Sequence, residues 1–494
     1  MLHRYYTLSA YSRIVEREES IWLECDYPFQ RHQLNESGAK LLKGLAGEVS
    51  LEALVGDMQP SVLPFLQRLE ASGALHCRYV TTPPTSNPRV DVVIPVLNNA
   101  TGLIRCLKAL AGQRYPLDRI QVTVVDDGSE IPIQQQVESV QPKHLNVRWL
   151  RMKTNHGPAS ARNFGAGLSD LTTQSLLEDA PFTPGKRVSP DLICFTDSDC
   201  EPDTNWISQL VAVFENAEIA GVGGQVLGCK QESLLARYES ACSSLNMGPK
   251  ASPAGNPSGR VPYLPACNFA IRRSALRKVG GFTEGMRLGE DVDLNWRLYE
   301  AGEDLMYFPE AKICHHHRSS WWAFLKRKAQ YATTEPRLNR WRNSRLPQAR
   351  QKHDLFALIA IIAVIFSGVL DQAWMLAFLF ILPLIGISKL VLFSERGIRN
   401  KFLGHRWKAG IRLGVAGLFQ EARQFIRHTF FLWFPIIFFY PFASSGNLMI
   451  VIIAILAEKI SKQPKLPWNV YVIGFLAENL AYSAGYNWGL VKRN

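Results

Sequence analysis

Three short apolar segments, each followed by polar residues, constrain the fold of this chain more than any other feature. They are residues 90–96, 120–125 and 191–196, and segments with helical character separate them. Strands that alternate with helices predict βαβ units and a mostly parallel sheet. In sheets of this kind, ligands bind at the carboxyl ends of the strands. The sequence therefore predicts an α/β domain whose site lies where these segments end.

The third segment ends in Asp197 and Asp199, with Ser198 between them. In an extended chain residues i and i+2 share a face, so the two carboxylates can converge on one point. Mg²⁺ and Mn²⁺ prefer such oxygen ligands, and substrate phosphates complete their coordination. The alternative is an ordinary surface turn, because aspartate and serine are common turn residues.

Polar groups at the other strand ends suit a nucleotide. They are Pro95, Val96 and Asn98 after the first strand, Asp126 and Asp127 after the second, and Arg162 on the following helix. Backbone groups and carboxylates can bind a base or a ribose, and a guanidinium can bind a phosphate or an aspartate. Each residue alone has a structural alternative, namely a turn, a cap or a salt bridge. Together with the aspartate pair they predict a nucleotide-diphosphate site that holds Mn²⁺ or Mg²⁺.

Five motifs in this order resemble the family 2 glycosyltransferases of the GT-A fold: VDVVIPVLNN, VVDDGS, NHGPASARNFGA, CFTDSDCEP and GEDVDLNWRL. The resemblance implies a nucleotide-sugar donor. It places Asp127, with Asp126 beside it, at the nucleotide base, and it makes Asp197 and Asp199 the metal-binding DXD motif. No Gly-x-Gly-x-x-Gly follows the first strand, which argues against a dinucleotide-binding enzyme.

The same resemblance assigns roles on the acceptor side. Asp291 would be the general base of an inverting transfer, and Glu290 would position the acceptor or the base. The alternative for both is favourable interaction with the dipole of the helix that they begin. His315 would lie near the metal and the diphosphate, and His317 is a weaker candidate. Residues 263–273 resemble the family's acceptor-side strand.

Residues 1–80 have the pattern of two strands, three short helices and a final strand, which is typical of a winged helix. This segment resembles the PqqD-like peptide-recognition domains, which bind a leader peptide as an added strand at a sheet edge. The alternative is a packing or dimerisation module. Residues 81–88 are rich in threonine and proline and predict a linker. Residues 89–335 would form the transferase domain.

Residues 336–494 predict a membrane-associated helical region. Segments 355–370, 373–393 and 430–457 are mostly apolar, and segment 397–428 is basic and amphipathic. The net charge of +12 is concentrated beside these segments, which fits a membrane surface better than a nucleic acid. By the positive-inside rule, the catalytic domain would lie on the cytoplasmic side of a bacterial inner membrane. The alternative is a buried helical domain.

Nine scattered cysteines without a Cys-x-x-Cys pair predict free thiols in a reducing compartment.

The whole chain also resembles a narrower group, the glycosyltransferases of the mycofactocin system, through its leading domain and through segments 236–239, 243–246 and 481–489. That resemblance implies glucose, supplied as UDP-glucose and built as a short β-linked chain onto a peptide-derived redox cofactor precursor. One alternative is the same chemistry on a lipid or polysaccharide acceptor. Another is a membrane-tethered peptide-binding or scaffold protein with an inactive transferase fold. The presence of the four aspartates together (Asp127, Asp197, Asp199, Asp291) argues against the scaffold.

Overall fold

The structure is a computed structural model. It describes residues 2–10, 12–17, 20–26, 29–45, 47–55, 62–71, 73–168, 191–229, 233–317, 320–345, 419–432, 434 and 444–492. These residues form a leading unit of strands and helices, a larger α/β domain, and a group of C-terminal helices that packs against the α/β domain.

The leading unit has two antiparallel sheets of three strands, ordered β5-β1-β6 and β2-β3-β4. Its elements are β1 (Leu2–Leu8), β2 (Ser12–Arg17), β3 (Ser20–Asp26), β4 (Phe29–Leu34), α1 (Glu36–Lys43), β5 (Val49–Ser50), α2 (Leu51–Val55), α3 (Val62–Ala71) and β6 (Leu75–Thr81). The predicted caps are present: Asn35 accepts a hydrogen bond from the Gly38 N–H, and Ser50 accepts one from the Ala53 N–H. The sequence did not predict β1. The PqqD-like identity of the unit stays a prediction.

The leading unit is packed against the α/β domain. Leu2 and Tyr79 are buried in the same apolar core as Leu210 of the α/β domain. Residues 82–88 contain no helix or strand, as predicted for a linker, but the Thr85 hydroxyl donates to the Glu215 carboxylate over 2.6 Å. The predicted linker is therefore held on the surface of the next domain.

The α/β domain is built on one sheet of nine strands. Its elements are β7 (Val90–Val96), α4 (Ala100–Ala111), β8 (Ile120–Asp126), α5 (Ile133–Val137), β9 (Val147–Arg151), α6 (Pro158–Ala166), β10 (Leu192–Thr196), β11 (Cys200–Pro202), α7 (Trp206–Phe214), β12 (Ile219–Gly228), α8 (Leu234–Cys242), β13 (Ser252–Ala254), β14 (Asn268–Arg272), α9 (Arg273–Lys278), α10 (Glu290–Glu300), β15 (Asp304–His315) and α11 (Trp321–Arg345). The strand order is β11-β15-β12-β14-β10-β7-β8-β9, and β13 pairs with β15.

The sheet is mixed. Strands β10, β7, β8 and β9 are parallel, as the alternation of strands and helices predicts. Strand β14 is antiparallel to both of its neighbours, and β11 and β13 are antiparallel to β15, although β12 and β15 are parallel to each other. Of residues 263–273, the part that forms a strand is Asn268–Arg272. The prediction of a mostly parallel sheet therefore fails beyond β10.

Three C-terminal helices pack on α8 and α11: α12 (residues 419–432), α13 (Ser444–Lys462) and α14 (Trp468–Val491). They share an apolar core with α8 and α11 that includes Tyr238, Phe324, Phe430, Ile450, Ala454, Tyr471 and Phe475. The described part of the C-terminal region thus fits the alternative of a buried helical domain.

Among the described residues, no helix combines the length and the apolar character that crossing a bilayer requires. The predicted apolar segments 355–370 and 373–393 lie outside the described residues. The third, 430–457, is divided between the end of α12 and the greater part of α13.

The cysteine prediction is wrong for one pair. Cys229 and Cys314 form a disulfide, whereas the other seven cysteines are free thiols. The two residues are 85 positions apart in the sequence. They meet because β12 and β15 are adjacent parallel strands, and spacing alone could not show this.

Candidate active site

A cavity of about 570 Å³ opens at the carboxyl ends of β7 and β10. Of the predicted residues, it is lined by Pro95, Val96, Asp127, Arg162, Asp197, Ser198, Asp199, Glu290, Asp291 and His315. The structure thus brings the predicted donor-side and acceptor-side residues into one space. Its walls come from segments that lie far apart in the chain, from Pro95 to Thr333, and the fold brings these segments together.

Arg162 joins the two sides of the cavity. Its guanidinium donates to Asp197 over 2.7 Å and to Glu290 over 2.8 Å. The Arg162 side chain is 3 % exposed, and its guanidinium carbon lies 5.5 Å from the centre of the Phe282 ring. Although burial opposes its charge, the carboxylates of Asp197 and Glu290 raise the pKa of Arg162 above its usual value. Arg162 therefore forms the salt bridges that were the alternative to a role in phosphate binding. These salt bridges lie inside the cavity.

Asp127 fixes the loop that leads into α6. Its carboxylate accepts hydrogen bonds from the backbone N–H groups of His156 and Gly157, over 2.8 and 2.9 Å. Gly157 has φ +90°, a conformation that favours glycine. Burial is the largest influence on Asp127 and raises the pKa of its carboxyl group. Asp127 thus lines the cavity and also holds the loop that carries Arg162 towards it.

Asn98 and Asp126 were predicted to bind the nucleotide sugar, but neither lines the cavity. The Asp126 carboxylate accepts from the backbone N–H groups of Ser129 and Ile133 and from Arg151. The Asn98 backbone N–H donates to the Ser129 hydroxyl, and its side-chain oxygen accepts from the Glu130 N–H. Both residues hold together the loops that follow β7 and β8.

Asp199 and His315 could hold a divalent cation. The Asp199 Oδ2 atom lies 3.6 Å from His315 Nε2, and their donor atoms fall within a group that spans 4.8 Å. The carboxylate oxygen suits Mn²⁺ or Mg²⁺ when phosphate oxygens complete the coordination, and the imidazole nitrogen is a further candidate ligand beside it. The third member of the group, the Cys200 thiol, is buried. The predicted partner Asp197 instead gives one oxygen to Arg162.

Asp291 begins α10 beside Glu290, on the other side of the cavity. Its carboxylate accepts from the backbone N–H groups of Val292 and Ala266, over 2.9 and 3.4 Å. Burial, followed by the nearby charge of Glu290, raises the pKa of Asp291 to about 7. A carboxylate with this pKa can accept a proton near neutral pH, as a general base must.

Part of α11 covers the cavity, and the sequence did not predict this position. Helix α11 contributes Arg327, Lys328, Gln330, Tyr331 and Thr333, and the segment before α10 contributes Arg287. The basic and aromatic composition of α11 was visible in the sequence, but its position over the site was not. The signal was weak because α11 is polar on average and carries a proline at position 336.

The chain is similar in sequence to known glycosyltransferases. Residues 88–333 match the family model described as glycosyltransferase like family 2. The "Pre-mycofactocin glycosyltransferase" of Mycobacterium tuberculosis is 38% identical over 252 residues, which cover 50% of this chain and 47% of that protein. The "Probable glycosyltransferase YdaM" of Bacillus subtilis is 28% identical over 250 residues, 50% of this chain and 54% of that one. The chain thus spans about half the length of these curated relatives.

Among solved structures, the mannosyltransferase PcManGT from Pyrobaculum calidifontis, determined with GDP-Man and Mn²⁺, is 14% identical with a TM-score of 0.42. The similarity covers 83% of this chain and 90% of that one.

Proposed function

Residues 88–333 belong to glycosyltransferase family 2, and on this premise we propose that the chain transfers a sugar from a nucleotide-sugar donor to an acceptor hydroxyl with inversion at the anomeric carbon. The observation that carries the proposal is the Arg162 bridge. It joins Asp197, on the proposed donor side, to Glu290, next to the proposed base Asp291. The donor and the acceptor would therefore meet in the same cavity.

On the donor side, the backbone at Pro95 and Val96, together with Ser198, would contact the nucleotide sugar at the end of β7 and β10. Asp199 and His315 would hold Mn²⁺ or Mg²⁺, which when bound neutralises charge on the leaving diphosphate. Arg162 keeps Asp197 in place and offsets its charge.

On the acceptor side, Asp291 takes the proton of the acceptor hydroxyl. The hydroxyl oxygen bonds to the anomeric carbon, and the bond from that carbon to the diphosphate oxygen breaks, with its electron pair leaving on the diphosphate. Glu290 is held by Arg162 over 2.8 Å, beside the base. The charge of Glu290 favours the protonated form of Asp291 and so strengthens it as a base.

For the substrates, we propose UDP-glucose as the donor and the peptide-derived precursor of a redox cofactor as the acceptor, extended to a short β-linked oligosaccharide. The name of the Mycobacterium tuberculosis relative, a pre-mycofactocin glycosyltransferase, supports the choice of acceptor. The motif resemblance of the leading unit to peptide-recognition domains agrees with a peptide-derived acceptor.

We further propose that the protein works at the inner face of a bacterial membrane. Helix α13 exposes Leu448, Ile452, Leu456 and Ile460, which lie four positions apart and so share one face. An exposed apolar stripe of this kind suits the interface of a bilayer. The same stripe favours the second candidate function, transfer to a lipid acceptor.

The test is a transfer assay with the purified full chain, UDP-glucose, Mn²⁺ and the pre-mycofactocin precursor, read by mass spectrometry. The proposal predicts acceptor masses increased by one or more hexoses, and loss of the product in the Asp291→Asn variant. A parallel assay replaces the precursor with a bacterial lipid extract. Product with the lipid extract alone would replace the proposed acceptor by the second candidate, and no transfer to either would contradict the function.

A further inference from the structure

Helix α11 lies along the cavity and reaches both of its sides. Tyr331 interacts electrostatically with Asp291, on the acceptor side. Lys328 interacts electrostatically with His317, whose ring centre lies 5.0 Å from that of His315 on the metal side. Lys328 also lines the same cavity as Asp199 and His315, where the proposed function puts the donor diphosphate.

The cations that line the cavity all have partners within the protein. Arg162 uses its two terminal nitrogens on Asp197 and Glu290. Arg287 donates to the backbone oxygen of Asn155, and the guanidinium of Arg327 lies 4.5 Å from the centre of the Tyr331 ring. Lys328 donates to Glu478 over 2.8 Å, and its ammonium lies 5.2 Å from the centre of the Phe324 ring. An ammonium group has three donors, so two remain for a ligand.

Glu478 reaches Lys328 from α14, outside the α/β domain. Its second carboxylate oxygen accepts from the Tyr238 hydroxyl over 2.8 Å, and the residue is 9 % exposed. Although burial opposes its ionisation, the cations Lys328 and Lys462 hold the pKa of Glu478 at about 2. Glu478 is therefore an anion at neutral pH, and it fixes both the charge and the position of the lysine.

The helices α14 and α11 approach each other closely. A Cβ atom at Gly485 would lie 2.0 Å from the backbone oxygen of Ala329, and one at Gly489 would lie 2.4 Å from that of Thr333. Glycine at these two positions lets the backbones touch next to the cavity-lining residues of α11. The C-terminal helix thus acts as a fixed support for α11.

We propose that Lys328 binds the donor diphosphate and that Glu478 is its positioning residue, an inference that rests on the proposed function. In the transfer, Lys328 would donate a hydrogen bond to an oxygen of the β-phosphate, the group that leaves with the electron pair. Charge-assisted hydrogen bonds are the strong ones, so its loss weakens both donor binding and stabilisation of the leaving group.

The experiment measures binding of UDP and of UMP, each with Mn²⁺, to the full chain by calorimetry. Lys328→Met is expected to weaken UDP binding by about 10- to 100-fold and UMP binding by less than about 3-fold, because UMP lacks the β-phosphate. Lys328→Arg should recover part of the UDP affinity. Glu478→Gln should weaken UDP binding in the same direction but less.

The matched control is Lys462→Met. The charge of Lys462 also lowers the pKa of Glu478. Lys462 itself pairs with Glu458 over 2.8 Å and does not line the cavity. Its variant should bind UDP as the wild type does. UDP affinity of Lys328→Met within two-fold of the wild type would overturn the inference, and so would equal losses for UMP and UDP. If the wild-type chain itself binds no UDP, the proposed donor fails instead, which separates the two failures.

Discussion

At the scale of single residues, the two carboxylates that begin α10 differ in their partners. Glu290 accepts from the Arg162 guanidinium, whereas Asp291 accepts from two backbone N–H groups. Glu290 is therefore held by an ion pair, whereas burial raises the pKa of Asp291 to about 7. Neighbouring acids in such different environments are typical of active sites.

The first prediction concerns the pH dependence of transfer. Asp291 must be deprotonated to act as a base, so kcat/KM should fall as the pH drops below about 7 and should level off above it. Asp291→Asn should lower kcat by about 10²- to 10⁴-fold and remove this pH dependence. The measurement is a pH–rate profile with saturating Mn²⁺.

Asp304→Asn is the control for that profile. Burial also raises the pKa of Asp304, but this residue lies at the start of β15 and does not line the cavity. Its variant should keep the wild-type profile. An Asp291→Asn variant with a tenth or more of wild-type kcat would rule out Asp291 as the base.

The second prediction concerns Arg162. Replacing it with methionine leaves Asp197 and Glu290 facing each other without their cation, and breaking a buried pair of this kind costs about 3–5 kcal/mol. Arg162→Met should therefore lower the free energy of unfolding, measured with urea, by about that amount. Arg345→Met removes a more exposed ion pair with Glu300 and should cost about 1 kcal/mol or less. Equal losses in the two variants would contradict the account.

At the scale of helices and strands, the sequence predicts the elements that have strong local signals. Strands β7, β8 and β10 and helices α4, α6 and α10 lie within a few residues of their predicted positions. The sequence also indicates Asp199, which belongs to the DXD motif, and His315, which the family resemblance places near the metal. These signals are local, so a single sequence carries them.

The sequence does not predict the parts that depend on long-range packing. Strand β12 is one of them, because glycines at positions 221, 223, 224 and 228 weaken its strand signal. Gly224 is needed there because a Cβ atom would meet the backbone oxygen of Ala311 at 1.7 Å. The contribution of α11 and α14 to the cavity was missed for the same reason, since it depends on helix packing. The inward turn of Asp126, away from the cavity, was also not predictable from its motif.

The third prediction tests the contact between α11 and α14. Gly485→Ala places a Cβ atom 2.0 Å from the backbone oxygen of Ala329, so the helices must separate. Overpacking of this kind costs about 1–3 kcal/mol, and the shift of α11 should also raise the KM for the donor. Thermal unfolding and steady-state kinetics measure the two effects.

Gly47→Ala is the control for the helix contact, because a Cβ atom at Gly47 would have no neighbour within 4 Å. It should change neither the unfolding temperature nor the KM for the donor. A Gly485→Ala variant with wild-type stability would mean that α11 and α14 are not in close contact.

At the scale of the whole molecule, the leading unit, the α/β domain and the described C-terminal helices share cores across their boundaries. Leu2 and Tyr79 extend the core of the α/β domain into the leading unit. Tyr238 and Phe324 belong to a second core, which α8 and α11 share with the C-terminal helices. The units should therefore unfold together, although their sequences differ in character.

The fourth prediction follows from the first of these shared cores. Differential scanning calorimetry of the wild type should show the leading unit and the α/β domain in one transition. Tyr79→Ala removes a buried ring at the junction, at a cost of about 3–5 kcal/mol, and should split off an earlier transition. Tyr79→Phe keeps the ring and loses only the hydrogen bond to Glu70, so it should retain the single transition. Two separate transitions in the wild type would contradict the shared core.

We propose that one cavity performs an inverting sugar transfer with Asp291 as the base. The most direct measurement is the anomeric configuration of the product formed from UDP-glucose, whose sugar is α-linked, read by proton NMR. The account predicts a β-linked glucose in the wild-type product and no product from Asp291→Asn. An α-linked product, or a β-linked product formed equally well by Asp291→Asn, would contradict it.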